Sequence, residues 1–137
     1  MDPQTLLHSD LTDHIIKAFF HVYNTLGYGF LEKVCENAMV VALEKMGHKV
    51  QQQVPIKVYF EGVNVGEYFA DLLVDDLVIL EGKAAEAIDV AHEAQVVNYL
   101  KATDKEVGLV LNFGPKPEFR RKVFANSRKP HLNPKIS

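Results

Sequence analysis

Tyr68-Phe69-Ala70-Asp71-Leu72-Leu73-Val74-Asp75-Asp76-Leu77-Val78-Ile79-Leu80-Glu81-Gly82-Lys83-Ala84 decides how this chain folds. Two runs rich in Val, Leu and Ile, residues 65–74 and 77–84, flank the polar pair Asp75-Asp76, as two strands joined by a turn do. Both runs are apolar nearly throughout, so both faces need cover, by helices on at least one side. Three charges stand inside them, Asp71, Glu81 and Lys83, where a buried strand tolerates none unpaired. Glu81 and Lys83 are two apart and face the same side. A two-residue loop would pair Asp71 with Leu80 and send Glu81 to the opposite face. Asp71 joins Glu81 only across a three-residue loop or a bulge, and such an irregularity is predicted.

The flanking sequence supplies the cover. Ile15, Ile16, Phe19, Phe20, Val22, Tyr23 and Leu26 recur at helical spacing after Ser9 and Asp10, which are good N-caps. Gly27-Tyr28-Gly29 interrupts the pattern. A second stripe (Leu31, Val34, Cys35, Ala38, Met39, Ala42, Leu43, Met46) then runs to Gly47. Val54, Ile56, Val58 and Phe60 alternate like a half-buried strand that turns at Glu61-Gly62. Asp89 can cap a helix reaching about Ala102. Residues 106–112 read as a returning strand, closed by Phe113-Gly114-Pro115, and Phe119, Val123 and Phe124 as a last short strand or helical turn. The order α-α-β-β-β-α-β gives a mixed sheet with helices packed on it, an α/β (α+β) fold.

Two carboxylates on one face make a hard oxygen site for Mg²⁺ or Mn²⁺. A lysine beside them can hold an attacking water or stabilise charge on a phosphoryl oxygen. The same spacing also suits a buried Asp–Lys–Glu ion-pair cluster without chemistry. His92, Gln95 and Tyr99, at i, i+3 and i+7, share one helix face that suits the wall of a cleft.

The totals bound the rest. A chain of 137 residues, 47% hydrophobic, fits one domain with a proper core. Residues 1–125 are expected to form it, and 126–137 a basic tail without structure. The lone Cys35 falls on an apolar stripe and reads as a buried thiol. It can form neither an internal disulfide nor a cysteine-based zinc site. No apolar run suits a membrane helix or an ordinary signal peptide, so the expectation is a cytoplasmic, soluble protein with no membrane partner. Net charge is −3, unevenly spread. Residues 116–137 hold seven of the 15 Lys and Arg, leaving eight basic against 17 acidic side chains before them. That tail either follows a phosphate backbone or only keeps the protein soluble.

Further stretches make the pattern recognisable. Asp71, then Glu81-Gly82-Lys83, resembles the Asp…Glu-x-Lys signature of the PD-(D/E)XK nuclease superfamily. Gln95-Val96-Val97-Asn98-Tyr99 matches the Gln-x-x-x-Tyr helix motif of its RecB-like branch. Gly29-Phe30-Leu31-Glu32-Lys33-Val34-Cys35 resembles the signature of the small bacterial GxxExxY proteins of that superfamily, as do Asn98 to Thr103 and Gly108 to Gly114. The resemblance runs from about residue 10 to 125. It departs at Cys35, where the pattern has tyrosine, and at Gly82, where a bulky apolar residue is more usual.

The resemblance implies a restriction-endonuclease-like α-β-β-β-α-β core and a metal-dependent nuclease hydrolysing phosphodiester bonds in DNA or RNA. Asp71 and Glu81 would be metal ligands, with the Gly82 carbonyl as a third and Glu32 near the metal. Lys83 would position the water or stabilise the transition state. Gln95 and Tyr99 would contact substrate or hold Lys83. Fold does not fix function, and two alternatives stand: a nuclease-fold module that binds nucleic acid or a protein without cutting, and an assembly subunit. A core this small is also expected to use a second copy, as a homodimer, to enclose a duplex.

Overall fold

A computed structural model of the chain describes residues 7–132. Helices α1 (Ser9–Leu26) and α2 (Glu32–Lys45) precede strands β1 (Val50–Phe60), β2 (Val63–Val74) and β3 (Val78–Lys83). Helix α3 (Val90–Ala102) leads to β4 (Val107–Phe113) and β5 (Pro117–Val123), followed by a 3-10 turn at Asn126–Arg128. The five strands form one sheet in the order β1-β2-β3-β4-β5. All neighbours are antiparallel except β3 and β4, which run parallel because α3 carries the chain across between them. This is the mixed sheet expected from the sequence, with β5 as the last short strand.

Each face of the sheet has its own core. Ile15, Phe19, Met39 and Leu43 of α1 and α2 pack on Leu72, Val74, Val78, Leu80, Leu109 and Leu111. Tyr99 and Leu100 of α3 cover Ile56, Ala70, Leu73 and Ile79 on the other side. Gly108 lets α3 approach, because a Cβ there would lie 2.5 Å from Val96 Cγ1. Cys35 is buried in the first core, as its stripe predicts. Burial, with the Glu32 charge as a lesser cause, pushes its thiol pKa up, which leaves it unreactive.

The ends of the helices depart in part from the reading of the sequence. Neither Ser9 nor Asp10 caps α1; His8 holds the cap position in a left-handed conformation, with φ 54°. Gly47, at φ 92°, follows α2 in the conformation its C-terminus favours. Asp89 caps α3 by accepting the Ala91 N–H at 3.0 Å.

The basic C-terminal segment differs most from expectation. Residues 126–132 have defined structure, and Lys129 is 1% exposed. Its ammonium donates to the carbonyls of Thr103 (3.0 Å) and Lys105 (2.6 Å) and to Asn126 Oδ1 (2.6 Å). Other charges of the segment have partners too. Arg121 donates to the Leu7 carbonyl, Lys122 to Glu93 at 3.1 Å, and Arg128 lies 4.4 Å from the Phe124 ring centre. These side chains fasten the segment to the domain. Lys116 is exposed, and Lys135 lies outside the described residues. No helix among the described residues is long and apolar enough to cross a membrane.

Candidate active site

The turn between β2 and β3 holds three residues. Asp75 and Asp76 both take positive φ (51° and 58°), and the Leu77 N–H donates to the Val74 carbonyl at 2.9 Å. Short polar side chains tolerate this conformation better than most. The register is therefore Val74↔Val78, Leu73↔Ile79 and Leu72↔Leu80, and its next step sets Asp71 opposite Glu81. This is the irregularity that the shared face requires.

Pairing of β2 with β3 stops at Leu72↔Leu80. Beyond it β2 continues with β1, and β3 with β4, so the sheet forks. Main-chain N–H groups freed by a fork need acceptors. The two carboxylates provide them reciprocally. Glu81 Oε1 accepts the Asp71 N–H at 2.9 Å, and Asp71 Oδ2 accepts the Gly82 N–H at 2.9 Å.

A second irregularity turns Asp71 into the fork. Ala70 packs under α3 and Leu72 under α1 and α2, although residues two apart on a regular strand share a face. On β1, Val54 lies on the α3 side and Val50 on the other. Both strands roll over at one level, where Gln53 stands between the pairs Gln52↔Leu72 and Val54↔Ala70. Gln53 has φ 52°, a conformation that costs a residue with a Cβ about 1–3 kcal/mol. Its amide donates to Glu36 Oε1 at 2.9 Å and also favours the ionised form of Asp71. Glu36, 8% exposed, further accepts from Lys33 Nζ (2.7 Å) and Gln52 Nε2 (2.8 Å).

Burial dominates the electrostatics. Glu81 is 3% exposed, and its pKa is pushed up to about 8, first by burial and then by the Asp71 charge. Burial, aided by Glu36, also raises Asp71, against the Gly82 N–H, Gln53 and Lys83. Lys83 is half-buried and bears electrostatically on both carboxylates, yet it forms no ion pair with either within 4.0 Å. The segment leaving Lys83 is clamped by Asn112, which is fully buried. Its Oδ1 accepts the Ala85 N–H and its Nδ2 donates to the Ala85 carbonyl, both at 2.9 Å.

From α3, Gln95 Nε2 donates to Tyr99 Oη at 2.9 Å. Tyr99 is held up at about 12 by burial first and then by Glu81, so its hydroxyl keeps its proton. At the start of the same helix, His92 Nδ1 accepts the Asp89 N–H at 3.1 Å and completes the capping box of α3. Glu32 is exposed in the first turn of α2. The α2 acid whose charge bears on both Asp71 and Glu81 is Glu36, one turn on. Sequence reading gave Glu36, Gln53 and Asn112 no part in the site. Glu36 shares a helix face with Glu32, but nothing in the local pattern of β1 marks Gln53.

Gly82 is not sterically required. A Cβ there would meet Asp71 Oδ2 and Phe113 Cε2 at 3.8 Å, ordinary contact distances. Among the described residues no three His, Cys, Asp or Glu side chains are grouped to hold a metal. A pair of carboxylates fits Mg²⁺ or Mn²⁺, hard ions that keep several waters and take one or two carboxylates from a protein. The raised pKa values fit as well, because a cation would displace the proton that the crowded pair retains.

Comparison with known proteins agrees with this fold. The crystal structure of SSO0001 superposes with a TM-score of 0.50 at 13% identity. The match covers 89% of this chain and 62% of that one, so this chain spans under two thirds of its length. The likeness is one of fold. No curated protein matches the chain. A family model described as the PD-(D/E)XK nuclease superfamily matches residues 9–122, which include the fork, its two carboxylates and the Gln95–Tyr99 face of α3. On that match, the chain belongs to the PD-(D/E)XK nuclease superfamily.

Proposed function

We propose that the chain is a Mg²⁺- or Mn²⁺-dependent nuclease that hydrolyses phosphodiester bonds at the fork between β2 and β3. The observation that carries this reading is the reciprocal capping of Asp71 and Glu81, with Lys83 near both and paired with neither. An inert ion-pair cluster would bring the ammonium onto the carboxylates, since that contact offsets the cost of burying them.

Asp71 and Glu81 hold the cation in this reading, with the Gly82 carbonyl as a further oxygen ligand. Bound there, the cation would acidify a water and offset charge on the leaving oxygen. Lys83 orients the water or stabilises the phosphoryl oxygens. Glu36 takes the part the resemblance assigned to Glu32, adding negative charge beside the pair. Gln95 and Tyr99 contact the substrate, and His92 shapes the start of their helix.

Cleavage of labelled single- and double-stranded DNA and RNA with Mg²⁺ or Mn²⁺ tests the proposal, with Asp71→Asn, Lys83→Met and a chelator as controls. Metal-dependent cutting lost in both variants is the expected result. Cutting that survives both substitutions would overturn it. A second reading, a module that binds without cutting, draws support from the absence of a three-side-chain metal cluster among the described residues. Salt-sensitive binding by a folded wild type that cleaves none of these substrates would establish it instead.

A further inference from the structure

Beside the fork, between the β1–β2 hairpin and α3, lies a groove of about 710 Å³. Its size is that of a ligand site. The walls are mainly apolar and carry three tyrosines, Tyr59, Tyr68 and Tyr99. Tyr59 and Tyr68 are 61% and 53% exposed, and the Tyr68 and Tyr99 rings lie 5.8 Å apart. Large aromatic rings left this open in a groove offer surfaces on which a flat ring can stack. Among the described residues that line the groove, the ionisable side chains beside the tyrosines are Lys57, Lys101 and His131, with no carboxylate. On a chain of net charge −3 this is a local reversal of sign. His131 is fixed at the rim, its Nε2–H donating to the Lys101 carbonyl at 2.9 Å.

The groove borders the candidate active site at Tyr99. Tyr99 lines the groove and packs in one core cluster with Ala70, the residue before Asp71, near enough for the charges of Glu81 and Asp71 to bear on its hydroxyl. Gln95, the donor to Tyr99, lines it as well. A strand lying along the groove would therefore lead toward the fork.

We propose that this groove binds single-stranded polynucleotide, with unstacked bases against Tyr59 and Tyr68 and phosphates near Lys57 and Lys101. The inference rests on the nuclease reading above and names its substrate class. Stacking on aromatic rings combined with backbone contacts to cations is how proteins hold single strands without reading sequence. A duplex keeps its base faces stacked inside and its phosphates outside, so it has nothing to set on an apolar aromatic wall. Residues 1–115 carry eight basic against 17 acidic side chains, a poor match to the many phosphates a duplex would present.

Fluorescence anisotropy tests this with labelled oligo(dT), oligo(rU) and a mixed-sequence duplex, in EDTA so that binding is read without cleavage. The expected result is binding of one or both single strands at least about 10-fold tighter than the duplex. The dT and rU arms show which sugar is preferred. Tyr59→Ala with Tyr68→Ala should weaken single-strand binding by about 10-fold or more. Lys57→Glu, at an exposed position where folding is not at stake, should weaken it and reduce its salt dependence. Equal binding of the duplex, or single-strand binding unmoved by all three substitutions, overturns the proposal. So does failure to bind any oligonucleotide while the protein forms a dimer that Tyr59→Ala dissociates, which would assign the face to a second copy of the chain. The cleavage assay fails separately. Single-strand binding through these tyrosines without metal-dependent cutting removes the nuclease and keeps the groove. Cutting with no single-strand preference does the reverse.

Discussion

Gln53 donates from its side-chain amide to Glu36 Oε1 at 2.9 Å, from a backbone held at φ 52° in the middle of a strand. A glutamine has no conformational reason to be there, since glycine would take that φ without strain. The side chain is therefore the reason: it ties the buried acid of α2 to the level at which Asp71 enters the fork. Gln53→Gly and Gln53→Ala separate the two contributions. Both remove the amide, but only alanine keeps the strain, so the glycine variant should be the more stable by about 1–2 kcal/mol. Both should lose activity together. Urea unfolding beside a cleavage assay reads the two effects, and an alanine variant as active as wild type would deny the amide any positioning role.

Asn112→Ala should cost about 2–4 kcal/mol. It removes both bonds made by the fully buried Asn112 and leaves the half-buried N–H and C=O of Ala85 without that partner, each a costly loss. Gly114→Ala should be worse, because its Cβ would fall 1.8 Å from the Ala85 carbonyl oxygen and backbone would have to move. Both changes loosen the segment just after Lys83. Hydrogen exchange at Ala85 should accelerate in Asn112→Ala ahead of exchange in the α1–α2 core. Equal acceleration throughout would make Asn112 a general core residue rather than a clamp.

The sheet was legible because buried strands read as apolar runs and helices as stripes. The requirement that Asp71 and Glu81 share a face called for a three-residue loop or a bulge, and the structure has the loop, at residues 75–77. What escaped has physical causes. Gln53 ends the run Gln51-Gln52-Gln53, in which nothing singles it out, and its role depends on Glu36, a partner distant in sequence. Nothing in the sequence of α2 marks Glu36 as buried, because Gln52 and Gln53 of β1 reach across to it from a distant part of the chain. His92 shared a face with Gln95 and Tyr99, yet its place three residues after Asp89 gives it a local capping bond. The C-terminal segment was misread because a count of charges cannot show that Lys129 has a buried set of carbonyls waiting for it.

The Glu81 pKa fixes a pH dependence. Its ordinary value of 4.5 applies to the unfolded chain, and burial beside Asp71 raises the folded value to about 8. Below pH 4.5 both states hold the proton, and the group has no effect on stability. Between 4.5 and 8 the unfolded chain releases it while the folded protein retains it, so stability falls as pH rises. Above 8 both are ionised and the loss levels off. In EDTA the melting temperature should therefore drop across this window, and Glu81→Gln should flatten the drop. Added Mn²⁺ should stabilise the wild type more at pH 8 than at pH 6, since binding must first displace the proton. A Glu81→Gln variant with the wild-type pH profile would remove Glu81 as the group responsible.

Lys83→Met distinguishes chemistry from architecture most directly. Lys83 is half-buried and has no ion pair with Asp71 or Glu81 within 4.0 Å, so its charge is not what holds the fork together. Methionine keeps most of the apolar stem, and the stability change should stay within about 1 kcal/mol. If the ammonium stabilises a phosphoryl oxygen in the transition state, kcat should fall by about 10²–10³, the usual cost of one such donor. KM should change little, because that interaction strengthens only as charge develops. The opposite pattern, a loss of several kcal/mol in stability with kcat preserved, would mean that Lys83 neutralises buried carboxylates and that the fork is a structural device.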